Sequence, residues 1–95
     1  MTLYNKIKVA GNEKLLEKIG KRIKELRINK LKMTQEEFAN ILGVDRSYLS
    51  RVESGKQNIT MRMLGFICLK LDISPCEFFA IFKEKENDTI NKMDN

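Results

Sequence analysis

"ILGVDRSYLSR", residues 41–51, interrupts what its flanks would otherwise make one continuous helix. Apolar residues recur at helical spacing before it (Phe38, Ile41, Leu42) and after it (Leu49, Val52). Between them stand Gly43, a residue type that readily adopts φ > 0, and Asp45, a good helix N-cap. A helix therefore ends near Leu42, and another restarts at once with Arg46, Ser47 and Tyr48 in its first turn. Two short helices joined by a three- or four-residue turn containing Gly form a helix-turn-helix. Ala39 is small where two such helices cross, and Leu49 and Val52 anchor the second from below. That leaves Arg46, Ser47, Ser50 and Arg51 outward. An exposed Arg opposes the dipole of a helix N-terminus, so a functional need is the better account of Arg46. A free helix N-terminus suits phosphates and groove edges, and a DNA major groove admits one α-helix.

Cap residues extend the reading in both directions. The first helix is expected to follow Gly11-Asn12, with Asn12 as N-cap, and to run to about Asn29. Leu15, Leu16, Ile19, Ile23 and Leu26 share its apolar face, opposite Lys14, Lys18, Lys21, Arg22 and Lys24. That basic stripe is most simply a solvated face. The second helix opens on "TQEE", where Thr34 and Glu37 form a capping box. The third follows Asp45 and stops at Ser54-Gly55, with Gly55 suited to C′. The fourth follows Thr60, and the fifth opens on "SPCE", with Ser74 as N-cap, Pro75 at N1 and Glu77 at N3. Residues 3–9 alternate weakly and read as a lone strand at most. The expected product is an all-α, compact five-helix domain over 12–85, with an N-terminal extension (1–11) and a polar tail (86–95).

Charge points to an anionic partner. Residues 1–33 carry a net +7, whereas 34–60 and 61–95 each carry −1, for a total of +5 over the 95 residues. Such asymmetry suits nucleic acid or a membrane surface. The longest apolar run, "MLGFICL" at 63–69, is bounded by Arg62 and Lys70 and falls far short of the ~20 residues of a bilayer span. Residues 1–13 lack the apolar run of a secretory leader, so the expected address is cytoplasmic, without membrane contact. Cys68 and Cys76 in a chain without His give no zinc spacing, and both read as small core or near-core residues. A lowered thiol pKa at Cys76, near a helix start, is the sharper alternative. Met61 and Met63 read as core filler. No catalytic residues, metal, cofactor or small-molecule substrate are expected: the chain lacks His, a phosphate-cradling Gly-rich loop and a paired-acid geometry.

The stretch "MTQEEFANILGVDRSYLSRVESGKQNIT" resembles the lambda-repressor/Cro-like helix-turn-helix family, also called XRE, and the likeness covers about residues 16–82. "DRSYLS" and "KQNIT" further resemble the controller proteins of restriction-modification systems. The resemblance implies that Gln35 contacts DNA backbone and braces the reading helix, and that Arg46 and Ser47 occupy the leading base-reading positions, with Arg51 later on that face. Ser50 lies between them, and Tyr48 is placed to stack on sugar-phosphate or touch a thymine methyl. Ser54, Lys56, Gln57 and Asn58 match a loop that reaches phosphates. Arg27 and Glu53 match a buried ion pair. "RINKLKMTQ" is about one residue longer than the family spacing, which leaves Arg22 as an alternative partner of Glu53.

Phe78, Phe79, Ile81 and Phe82 exceed what one helix face can bury. Either the helical frame changes there or the surplus forms a subunit contact, and the contact, through Phe79, Ile81 and Phe82, is the expectation. Together these readings describe a sequence-specific, double-stranded-DNA-binding transcriptional regulator that binds a pseudo-palindromic operator as a homodimer. The alternative is an antitoxin-like protein-interaction module with DNA-binding autoregulation. Single-stranded RNA binding would need exposed aromatic platforms, for which Tyr48 alone is suited.

Overall fold

The computed structural model describes the backbone of residues 3–82 and the side-chain environments of residues 14–82. Five helices follow one another: α1 (Leu3–Asn29), α2 (Gln35–Leu42), α3 (Arg46–Glu53), α4 (Met61–Lys70) and α5 (Pro75–Phe79), the last continued by a 3₁₀ turn at Ala80–Phe82. No strand occurs among the described residues. Four of the five starts follow the cap chemistry of the sequence. Thr34, Asp45, Thr60 and Ser74 each have extended backbone, and each side chain accepts the N–H three residues on.

α1 departs from expectation. It begins at Leu3, so Asn12 lies inside the helix rather than capping it, and residues 3–9 are helical rather than a strand. A helix tolerates Gly in its interior for about 1 kcal/mol, so Gly11 was never an obligatory stop. The expected tail, 86–95, lies outside the described residues.

Ile19 and Ile23 of α1, Phe38, Ala39 and Leu42 of α2, Leu49 and Val52 of α3, and Leu64, Ile67 and Cys68 of α4 form one core, closed by Leu71, Phe78 and Phe82. Leu15, expected on the buried face, is exposed. Gly20 permits the closest approach: a Cβ there would lie 2.3 Å from the carbonyl oxygen of Val52 and 2.6 Å from that of Glu53. Hence α1 lies directly against the end of α3.

Three sulfur and aromatic expectations change. Cys68 is buried, and burial pushes its thiol pKa up, whereas Cys76 is exposed. Met63 packs on the core, but Met61 is 80% exposed at the first position of α4. The aromatic cluster follows the changed frame. After Phe79 the chain tightens to three residues per turn, which brings i and i+3 side chains into line. The Phe79 and Phe82 rings meet edge-on at 5.5 Å, and Phe78 meets Phe79 at 5.1 Å. Phe78 and Phe82 thereby enter the core and Phe79 is half-buried; Ile81, 53% exposed, faces out. Phe82, 8% exposed, belongs to this chain's own core and is no longer available as a subunit contact.

Candidate nucleic-acid interface

The α2–α3 unit is built from local bonds. Thr34 Oγ1 accepts the Glu37 N–H at 3.1 Å, and Glu37 Oε1 accepts the Thr34 N–H at 3.0 Å, completing the capping box. The Thr34 backbone N–H first, and then the Thr34 hydroxyl, hold the Glu37 carboxyl below its ordinary pKa. Gly43 closes α2 at φ 74°, where a side chain is strained. Val44 then donates back to the Ala39 carbonyl at 3.0 Å, and Asp45 starts α3. The Asp45 carboxylate accepts the Tyr48 N–H at 2.8 Å and the Ser47 hydroxyl at 3.0 Å. These two bonds, with the positive charge of Arg51, hold its pKa down. The carboxylate therefore stays ionised at the positive end of the helix.

Two clusters assemble on this frame. In the first, Arg46 at the start of α3 donates through Nη1 to Gln35 Oε1 at 3.3 Å, linking the two helix starts. In the second, Arg51 donates through Nε to Gln57 Oε1 at 3.0 Å, and Gln57 donates to the Asn58 carbonyl at 3.2 Å. The Arg51 guanidinium also lies 5.9 Å from the centre of the Tyr48 ring. Arg46, Ser47, Arg51, Ser54, Lys56 and Asn58 are exposed; Gln35, Tyr48, Ser50 and Gln57 are partly covered. Tyr48 leans on the core, so only part of its ring is open to a ligand. The Ser47 hydroxyl proton is committed to Asp45, and that of Ser54 to the Arg51 carbonyl at 3.1 Å. Both hydroxyls therefore meet a ligand as acceptors unless they turn.

Beneath the surface, Arg27 and Glu53 pair at 2.7 Å (Nε to Oε2) and 2.9 Å (Nη2 to Oε1). The alternative partner, Arg22, instead donates to the carbonyls of Phe78 and Glu77 and ties α5 to α1. The extra residue before α2 does not displace Arg27, because the connection turns back on it. Lys32 takes φ 56°, the Met33 N–H reaches the Arg27 carbonyl at 3.2 Å, and Arg27 Nη1 reaches the Met33 carbonyl at 2.8 Å. Sequence reasoning missed one contact: Gln35 Nε2 donates to Glu53 Oε1 at 3.0 Å, across 18 residues. Nothing local in the sequence announces it.

Among the described residues no group of three or more His, Cys, Asp or Glu could hold a metal ion, and no helix is long and apolar enough to cross a membrane. Residues 23–78, from the buried Ile23 of α1 to the buried Phe78 of α5, match the helix-turn-helix family model. The chain belongs to the helix-turn-helix family, of the lambda-repressor/Cro-like (XRE) type. Among the proteins it is similar to are two control proteins and an antitoxin. Control protein C.MunI of Mycoplasma sp is 36% identical over 63 residues, 66% of this chain and 85% of that protein. Control protein C.BamHI of Bacillus amyloliquefaciens is 28% identical over 67 residues, 70% and 80% of the two chains. Antitoxin PezA of Streptococcus pneumoniae serotype 4 is 43% identical over 56 residues, 59% of this chain but 35% of the antitoxin. The chain thus spans about a third of the length of that antitoxin. As a helix-turn-helix protein of this type, it is a DNA-binding transcriptional regulator.

Proposed function

We propose that the protein binds a pseudo-palindromic double-stranded operator as a homodimer, with α3 in the major groove of each half-site. The observation that carries this reading is Arg46, exposed on the first turn of α3 and bonded to Gln35 at the start of α2, with Arg51 and Lys56 exposed later in the same unit. A guanidinium there can make the bidentate bonds that identify guanine. Ser47, Ser50 and Arg51 extend the reading face, while Ser54, Lys56, Gln57 and Asn58 follow the backbone past the helix end. A single α3 reads too few base pairs for an isolated site, and twofold pairing doubles them. The outward Ile81, with the half-buried Phe79, offers apolar surface for the second copy.

Control proteins fit the chain better than antitoxins as relatives, because they match over most of their own length. The antitoxin reading keeps one support, the PezA match, which covers only 35% of that antitoxin. Fluorescence anisotropy with a duplex selected by the full chain from a randomised library tests the proposal, together with sedimentation. The expected complex contains two chains of 11.1 kDa each per duplex. A monomer on DNA overturns the dimer, and failure to enrich any sequence overturns specific binding. Co-purification of a second, unrelated protein in fixed ratio would favour the antitoxin-like reading.

A further inference from the structure

We infer that Glu53, beyond pairing with Arg27, fixes which end of the Gln35 amide faces the DNA and thereby sets the aim of Arg46. Four side chains form one bonded chain from core to surface: Arg27 to Glu53, Gln35 to Glu53, and Arg46 to Gln35. Its chemistry allows one orientation. Glu53, buried against the Arg27 guanidinium, offers only acceptors, so the group of Gln35 at 3.0 Å from Oε1 must be the NH₂. Arg46 offers only donors, so the group 3.3 Å from its Nη1 must be the carbonyl oxygen of Gln35. A flipped amide would set oxygen against carboxylate at one end and NH₂ against guanidinium at the other. Both neighbours therefore select the same state, and each bond is charge-assisted. The deeper one is the stronger selector because it is shorter and part-buried, whereas the Arg46 bond is exposed.

Gln35 is then a positioning residue for Arg46. Its outward oxygen carries partial negative charge, which attracts the guanidinium and disfavours a phosphate at that spot. What remains for phosphate at this helix start is the backbone N–H of Gln35, which no side-chain substitution removes. Specificity at one base position in each half-site is in this way coupled to an ion pair that never touches DNA. This inference rests on the proposed role of Arg46 as a base reader.

The test uses the full chain, the library-selected duplex, its single-position variants and a scrambled duplex, each across a salt series. Arg46→Ala is expected to lose about 5- to 150-fold in discrimination per half-site at one position. Gln35→Met, which keeps bulk and removes the amide, should lose roughly three- to tenfold at that same position. It should leave the salt slope unchanged and cost nothing further in the Arg46→Ala background. The paired change Arg27→Met with Glu53→Met removes the selector and should relax the same position. If that pair does not fold, Glu53→Gln takes its place, because its amide can accept from or donate to Gln35 and so no longer selects its orientation. A folded selector variant with unchanged discrimination overturns the inference. A reduced salt slope for Gln35→Met, or losses additive with Arg46→Ala, overturns the inference while leaving the base-reading role intact. Unchanged discrimination in Arg46→Ala overturns both.

Discussion

Arg27 and Glu53, 26 residues apart, meet in a two-bonded fork at 2.7 and 2.9 Å with almost no solvent access. The pair joins the last turn of the fold's longest helix to the last residue of α3. Removing one partner leaves the other charged and buried, which typically costs about 3–5 kcal/mol. Arg27→Ala should therefore lower unfolding free energy by that amount in a urea titration. Replacing both partners by Met removes the desolvation burden along with the attraction, and such swaps are often neutral or better. The expected double variant is close to wild type in stability. An equally unstable double variant would mean that packing, not charge, makes this contact matter.

Acid should loosen the two helix starts. Asp45 and Glu37 both have pKa values below their ordinary ones: Tyr48 N–H, Ser47 and Arg51 act on the first, and the Thr34 backbone and hydroxyl on the second. A carboxylate with a depressed folded pKa stabilises the fold fully above its unfolded value, and that contribution is lost as pH falls through the folded value. Stability should therefore be flat near neutrality and decline on acidification through the carboxylate range. Asp45→Asn keeps a capping oxygen but cannot titrate, so its decline should be shallower than wild type. Asp45→Ala should lower the melting temperature by several degrees even at neutral pH. Denaturation curves from about pH 3 to about pH 7 compare all three.

Gly20→Ala separates local propensity from packing. In an exposed helix interior that change gains about 1 kcal/mol. Here the new Cβ would sit 2.3 Å from one backbone oxygen of α3 and 2.6 Å from another, and backbone cannot swing away as a side chain can. The expected result is a net loss of at least about 2 kcal/mol by denaturant titration, with DNA affinity falling as α3 shifts. A stabilised variant would place α1 farther from α3 than the structure has it.

The helix starts were readable because an N-cap bond spans three residues and leaves its residue types in the sequence: Thr34, Asp45, Thr60 and Ser74 all show it. The turn at Gly43 was readable because the positive φ that ends α2 there favours glycine. The start of α1 was not, because Gly11 and Asn12 are common at helix ends yet tolerated inside. The 3₁₀ tightening after Phe79 was also hidden, since no cap residue marks it, although it accompanies the burial of both Phe78 and Phe82. At the interface, the outward positions of Arg46 and Arg51 followed from helical spacing. The bond from Gln35 to Glu53 did not, because it joins residues 18 apart whose roles each looked complete without it.

Salt should tell Lys56 from Arg46. Lys56 is exposed just past Gly55, on the loop that leaves α3, where the chain would follow the sugar-phosphate rather than enter the groove. A lysine is a point charge with no planar fork, so its natural partner is phosphate. Neutralising one phosphate releases condensed counterions and adds about 0.9 to the slope of log K against log[salt]. Lys56→Ala in a symmetric dimer should therefore lower that slope by nearly two units (~1.8) and weaken selected and scrambled duplexes alike. Arg46→Ala should chiefly weaken the selected duplex, because a base contact carries sequence information whereas a phosphate contact does not. Anisotropy titrations of both variants at several salt concentrations give the two slopes directly. If Lys56→Ala keeps the wild-type slope, the loop after α3 does not reach the backbone. The phosphate contacts then come from elsewhere, and the exposed Lys14, Lys18, Lys21 and Lys24 along α1 are the first cations to test.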